Sequence, residues 1–435
     1  MVFCHAHSNA GARVAIRIYR RAFLKNPCLI VKRSFAQVFV SQLKIMSRAA
    51  IQKSVSREGS DFYIYIAGPW APMGGGMFRV ADYLIQAQRV FPTETAELRP
   101  LDTRGGGTSV ASLWVLAKAL VKIMQGRFSG NLVGVHVNVA ERLSLFRKGA
   151  IVVLCRILGI PVVLHLHAAK LPYFYRKMPG ILQGLTRWIF SLPASCLVLG
   201  DNARQFVVQE LMVPADQVEV IINGVPEPIY VRRTFEGKAA RQVLFVGNLS
   251  ERKGVSDFLQ ALALLKSENL CMQVTLAGGG DLLFYQTVAQ QLGVNTLVNF
   301  MGWTDQQKVA ELMALADVLI LPSYDEGLPL VILEALANGV AVICAPVGEI
   351  PSLLTHSVNA SFVQAGDVSG IAQSLQKVLL NFEYRRALEI NGRALYEQRF
   401  SLVKFSANVA VIHQRHFGKV LQPSEQSFSA RSPPS

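Results

Sequence analysis

Apolar and polar positions along the chain follow two alternating periods. Short apolar runs at 62–67 (FYIYIA), 131–137, 162–167, 196–199 and 218–222 read as buried strands. Helical spacing fills the intervals at 112–125 and 143–158, and a Pro/Gly loop through Gly74, Gly75 and Gly76 leads into a helix ending near 90. After a stretch rich in turn residues the alternation restarts. Strands are expected at 243–247, 272–277, 296–300, 318–322 and 341–345, with helices at 254–267, 281–292 and 305–316. A last helix is expected at 398–417. Strand alternating with helix predicts parallel, doubly wound sheets: an α/β chain of two Rossmann-like domains facing a central cleft. The expected division is a basic extension at 1–60, domains at 61–225 and 241–398 joined by a linker at 226–240, a helix at 399–418 that crosses back, and a Ser/Pro-rich tail at 419–435 not expected to order.

Composition agrees with this picture and removes some classes. A chain of 435 residues with 51% apolar content is long enough for two α/β cores and is neither fibrous nor disordered. No apolar run reaches the ~18 residues of a membrane-spanning helix. Six cysteines at wide spacings fit neither a zinc site nor a disulfide framework, so reduced thiols and a cytoplasmic setting are expected. The net charge of +15 is uneven. Residues 1–60 hold 11 Lys/Arg against one acid, 61–230 hold 16 against 11, and 231–435 hold 17 against 17. Either the front half approaches a polyanion, with anionic lipid favoured over nucleic acid, or it is a solvated surface with a basic tail. The first 60 residues are either an amphipathic surface arm or sequence upstream of a later start at Met46.

Candidate chemistry gathers at loops that follow strands. Glu326 and Glu334 are separated by seven residues, the first in the loop after strand 318–322 and the second about a turn into a helix beginning with Pro329 at its first position and ended by Gly339. Backbone N–H groups of Gly327, Leu328 and Leu330 at that helix start suit an anion. Carboxylates for hydroxyls beside a helix start for phosphate describe a nucleotide sugar. The loop 247–254 (GNLSERKG) offers Arg252 and Lys253 to a diphosphate. Glycines at 278–280 and 74–76 suit close approach of backbone to a nucleotide, and a tight turn explains either equally. A dinucleotide fingerprint at 74–76 lacks its acidic partner, since 94–97 lies in a Pro/Thr context and not at a strand end. His165 and His167 are read as facing opposite sides of their strand, with His167 entering the cleft. No His/Cys/Asp cluster has metal-ligand spacing.

These residues resemble family-4 glycosyltransferases, the retaining enzymes of the GT-B fold, over about 61–418 and most strongly over 240–365. EGLPLVILEALANGVAVICAPVG resembles that family's E-x7-E signature, VLFVGNLSERKG its diphosphate loop, IINGV its interdomain segment and PVVLHLHA the strand whose terminal histidine lines the cleft. The resemblance implies that Glu326 holds donor-sugar hydroxyls, Glu334 the ribose hydroxyls, Lys253 the leaving diphosphate and His167 the transferred sugar. It implies that Gly75 and Gly76 let the first loop close near the donor phosphate, and that the base lies near 302–304. Where the family usually has Arg after the glycine of the diphosphate loop, this chain has Asn248, so either Arg252 substitutes from four residues on or phosphate stabilisation is weaker. The implied partners are a nucleotide-diphosphate sugar, a lipid-linked saccharide acceptor in exopolysaccharide or lipopolysaccharide assembly and an anionic membrane surface on the cytoplasmic side. No nucleic acid, metal or other cofactor is expected. A GT-B sugar-nucleotide epimerase and a non-catalytic nucleotide-sugar-binding protein stand as alternatives.

Overall fold

The computed structural model describes residues 62–418 apart from 71–74, 92, 94, 231–240, 268, 269 and 271. The expected N-terminal extension with Met46, the tail and most of the linker lie outside the described residues.

Two six-stranded parallel sheets carry the chain. The first has the order β2-β1-β3-β4-β5-β6, built from β1 (Tyr63–Gly68), β2 (Glu97–Asp102), β3 (Leu132–Val139), β4 (Val162–Leu166), β5 (Ser195–Val198) and β6 (Val218–Val220). The second has the order β12-β11-β10-β7-β8-β9, from β7 (Gln242–Val246), β8 (Gln273–Ala277), β9 (Val298–Gly302), β10 (Val318–Leu321), β11 (Ala341–Cys344) and β12 (Ser361–Phe362). Both centres are runs of buried branched residues, as strands covered on both faces require: β4 and β10 are buried at every position.

Helices connect the strands. In the first half these are α1 (Gly75–Val90), α2 (Ser109–Ser129), α3 (Leu143–Leu158), α4 (Leu171–Lys177), α5 (Gly180–Phe190) and α6 (Asp201–Gln209). In the second they are α7 (Val255–Lys266), α8 (Leu282–Gln291), α9 (Gln306–Leu315), α10 (Leu330–Ala337), α11 (Ile350–Leu353), α12 (Val368–Leu380) and α13 (Phe382–Leu395). After a π-helical turn at Tyr396–Phe400 comes α14 (Leu402–Phe417), which packs on α1, β3 and β4 of the first half. Phe417 lies so close over β3 that a Cβ on Gly134 would meet its ring at 2.3 Å. One apolar core runs through both halves and takes in Phe400, Phe405, Val409 and Ile412.

The chain crosses between the halves twice, and the crossings touch. Val225 bridges Ser401 in parallel register, Val225 N–H donates to Phe400 O (3.0 Å) and Leu402 N–H to Val225 O (2.9 Å). A further contact joins Glu349 of the second half to the start of α6, where its carboxylate accepts from the backbone N–H of Ala203 (2.9 Å) and Asn202 (3.4 Å).

Three readings from the sequence need correction. β2 was not foreseen because Pro100 interrupts it. It is the edge strand, paired only to β1, where a missing N–H costs no ladder bond. Helices α4, α5, α6, α12 and α13 were also not foreseen. Pro329 is the N-cap of α10, with extended backbone (ψ 123°), rather than its first helical residue.

Candidate active site

Every loop that the sequence singled out leaves the carboxyl end of a strand, so all converge on one mouth. There a cleft of about 960 Å³ lies between the halves. From the first half it is lined by Gly75 to Val80 at the start of α1, by Ala140 and Glu141 after β3 and by His167 after β4. The second half contributes Gly247, Asn248 and Lys253 after β7, Gly278 to Gly280 after β8, Trp303 to Gln306 after β9, and Glu326 to Val331 after β10.

Lys253 and Glu326 form the floor. Lys253 Nζ donates to Glu326 Oε1 across 73 positions of sequence, and their side chains are only 12% and 9% exposed. Glycine makes this packing possible. Gly348 has φ +61°, and a Cβ there would lie 2.0 Å from Glu326 O. Gly278 has φ +152°, and a Cβ would lie 1.9 Å from Gly247 O, which draws the loops after β7 and β8 together. Asn248 lies beside Gly279 on the cleft wall. Arg252 does not line the cleft. Its guanidinium donates to Asp325 O (2.6 Å), and Asp325 also pairs with Lys170 of the first half (3.1 Å).

Glu334 sits behind the cleft lining and is held by the first half. Its Oε1 takes Arg79 Nη2 (3.2 Å) and Tyr83 O–H (3.2 Å), and Tyr83 in turn accepts from Gln306 Nε2 (2.7 Å). Glu334 Oε2 and Arg79 Nε are buried without a hydrogen-bond partner. Burial, and then the charge of Glu334, raises the Tyr83 phenol well above its usual value, so it stays protonated. Arg79 and Tyr83 escaped the sequence reading, although both follow the glycines at 75 and 76 and are spaced four apart, on one face of α1.

His167 lines the cleft and its Nε2 meets Asn138 Oδ1 at 2.8 Å. Burial holds its imidazole well below its ordinary value, hence neutral at pH 7. His165 does not line the cleft, but the reason expected from the sequence is wrong. Residues i and i+2 share a face of a strand, and the two rings lie side by side, tilted by 39° with centroids 4.1 Å apart. His165 is instead covered: His136 links it (3.3 Å) to His413 of α14 (2.9 Å). Burial pushes His136 down to about 3 and His165 and His413 well below their ordinary values. Among the described residues no group of three or more His, Cys, Asp or Glu side chains is arranged to hold a metal.

Comparison with known proteins adds a family and a fold. Residues 229–395 match the model of the family described as glycosyl transferases group 1, which supports a glycosyltransferase family for the chain. An uncharacterized glycosyltransferase of Methanocaldococcus jannaschii is 28% identical over 244 residues, 52% of this chain and 62% of its own length. The amylovoran biosynthesis glycosyltransferase AmsK of Erwinia amylovora is 28% identical over 200 residues, 43% of this chain and 48% of its own. The chain thus spans about half the length of the curated relatives it matches. Among solved structures, sucrose-phosphate synthase from Thermosynechococcus elongatus superposes with TM-score 0.68 at 16% identity, covering 81% of this chain and 98% of that one. The fold is GT-B: two Rossmann-like parallel-sheet domains about a cleft.

Proposed function

We propose that the protein is a retaining glycosyltransferase that moves a hexose from a nucleoside diphosphate to a hydroxyl of a lipid-linked saccharide in cell-surface polysaccharide assembly. The buried Lys253–Glu326 pair on the cleft floor carries this reading, because it sets a fixed cation and a hydroxyl acceptor side by side. In the reaction proposed, the acceptor oxygen bonds to the anomeric carbon on the face the diphosphate leaves. The carbon–oxygen bond to phosphate breaks, and the acceptor's proton passes to a leaving phosphate oxygen. Lys253 and the start of α10 meet the growing negative charge, a kind of fixed electrostatic stabilisation worth about 3–4 kcal/mol per donor. Glu326 takes donor-sugar hydroxyls and neutral His167 faces the transferred sugar, while Glu334, which lies behind the lining, is given the ribose on the resemblance alone. Gly75, Gly76, Asn248 and the backbone of Gly327, Leu328 and Leu330 complete the donor pocket, and Arg252 stands behind it, bonded to Asp325 O and 4.0 Å from Glu326 Oε2. No metal takes part in this scheme.

The acceptor is assigned to a membrane because of one face of the first half. Helices α2, α3 and α5 lie side by side and contain no Asp or Glu. They expose Trp114, Val121, Ile157, Ile181 and Trp188 among Lys118, Lys122, Arg156 and Arg187. Aromatic rings with lysine and arginine and no acids suit an anionic lipid surface, here the cytoplasmic face of the plasma membrane. No helix among the described residues is long and apolar enough to cross a membrane.

The test is a thermal-shift panel of UDP- and GDP-sugars on the protein and on Glu334→Ala. A shift with one base class that disappears in the variant supports the donor site and names the base. A flat panel on folded protein removes it.

A further inference from the structure

The proposed donor pocket draws mainly on the second half, and the first half holds a group of cations that the proposed reaction does not use. Lys148 of α3 is 2% exposed. Its Nζ donates to Ser144 Oγ (2.8 Å) and lies 3.8 Å from Met77 Sδ, and it pairs with no carboxylate among the described residues. An ammonium withdrawn from water without an anion is costly, and sequences retain one where something else pairs with it. Two guanidiniums stand near. Arg147 donates to Ser112 Oγ (3.0 Å) in the first turn of α2, while its Nε is buried and without a partner. Arg104 is exposed on the loop that leads into the same helix. The carboxylate at this place, Asp102, is already engaged by the backbone N–H groups of Trp70 (3.2 Å), Arg104 (2.9 Å) and Gly105 (3.0 Å). The first turn of α2 holds no acid either. Burial first, then the charges of Arg147 and Arg104, push Lys148 down to about 7, so the three cations act on one another. Met77 separates Lys148 from the cleft, and its unbranched side chain can swing aside.

We propose that Arg104 and Arg147 at the start of α2, with Lys148 behind Met77, form a second anion site that holds a phosphate or diphosphate group of the acceptor. The proposal rests on the reading that the first half takes the acceptor. It adds that the acceptor is anionic close to the hydroxyl that reacts.

The experiment titrates inorganic pyrophosphate into the protein after saturation with UDP or GDP, so that the donor subsite is filled. Wild type is expected to bind pyrophosphate, with affinity falling about ten- to hundredfold in Lys148→Met and Arg104→Ala. Nucleotide affinity is expected to stay within about twofold, since these residues do not line the donor pocket. Arg104 is exposed, so its variant does not put the fold in question. Pyrophosphate binding that is absent from the nucleotide-saturated protein, or unchanged in both variants, overturns the proposal. If neither nucleotide binds, the transferase reading fails by itself, and pyrophosphate titration without nucleotide still decides the anion site. A second arm uses phosphatidylcholine vesicles carrying a polyprenyl diphosphate. Cosedimentation lost in Lys148→Met supports the site with a lipid carrier as the source of the anion. Cosedimentation kept, with pyrophosphate binding lost, supports it with a soluble sugar phosphate as the source.

Discussion

Arg79 and Glu334 come from opposite walls of the cleft and meet at 3.2 Å, with side chains 22% and 12% exposed. The contact ties the helix after the first glycine loop to the helix of the second glutamate. Replacing Arg79 by Met leaves the Glu334 carboxyl largely buried and held by Tyr83 alone. The expected loss is about 1–3 kcal/mol of unfolding free energy, read from the midpoint of urea denaturation at constant m. An unchanged midpoint would mean that Tyr83 alone suffices.

Lys253→Met should be more damaging to turnover than to the fold. Removing a preorganised cation from a leaving group typically costs about 100- to 1000-fold in kcat. Steady-state rates with the sugar nucleotide that passes the thermal-shift panel measure it. A fall confined to KM would place Lys253 in ground-state binding only.

Asn248 stands on the cleft wall beside Gly279, where, on the proposed function, an arginine would bring its charge to the donor phosphates. Asn248→Arg is therefore expected to tighten nucleoside diphosphate binding about tenfold, as a charge-assisted hydrogen bond allows. Calorimetric titration decides it. Equal or weaker binding would show that the pocket has no room for the longer side chain.

The chain of His136, His165 and His413 makes the fold acid-sensitive. All three have folded-state values depressed by burial, against about 6.5 when unfolded. Below that value the unfolded state binds more protons, so stability is full above pH 6.5 and falls as pH drops toward the folded value, about 3 for His136. Each histidine adds up to about 1.4 kcal/mol per pH unit. Melting temperatures measured from pH 7.5 down to 5 should decline steeply below 6.5, and a flat profile would contradict the burial.

Much of this architecture could be read in the residues themselves. β10 and β11 are unbroken apolar runs, and their expected bounds lie within one residue of those found. Lys253 and Glu326 lie in the loops that leave β7 and β10, so a strand–loop–helix reading was enough to bring them to one mouth. β2 was hidden because an edge strand can include a proline. β12 has two residues and α11 four, too few to leave a period. Helices α12 and α13 were missed although each opens on a capping residue, Asp367 and Asn381, whose side chain accepts from the first turn. The contacts of Glu334 were not legible: its partner Tyr83 is 251 positions away, and nothing local in either segment announces the other.

The last helix is likewise a long-range partner. Gly134→Val would thrust a branched side chain into the Phe417 ring, and is expected to cost at least about 1–3 kcal/mol by overpacking. Urea denaturation of the variant measures this, and a variant as stable as the parent would mean that the helix rides loosely on β3.

The paired crossings at Val225 and Ser401 have a mechanical consequence. A single strand between two bodies leaves them free to swivel about three axes. Two segments bonded at the single bridge of Val225 and Ser401 restrict that swivelling, because neither can twist without straining the two hydrogen bonds that join them. An opening of the two walls is then expected to follow few directions rather than all three axes. Every opening would return Lys253, His167 and Arg79 to the same mutual registry.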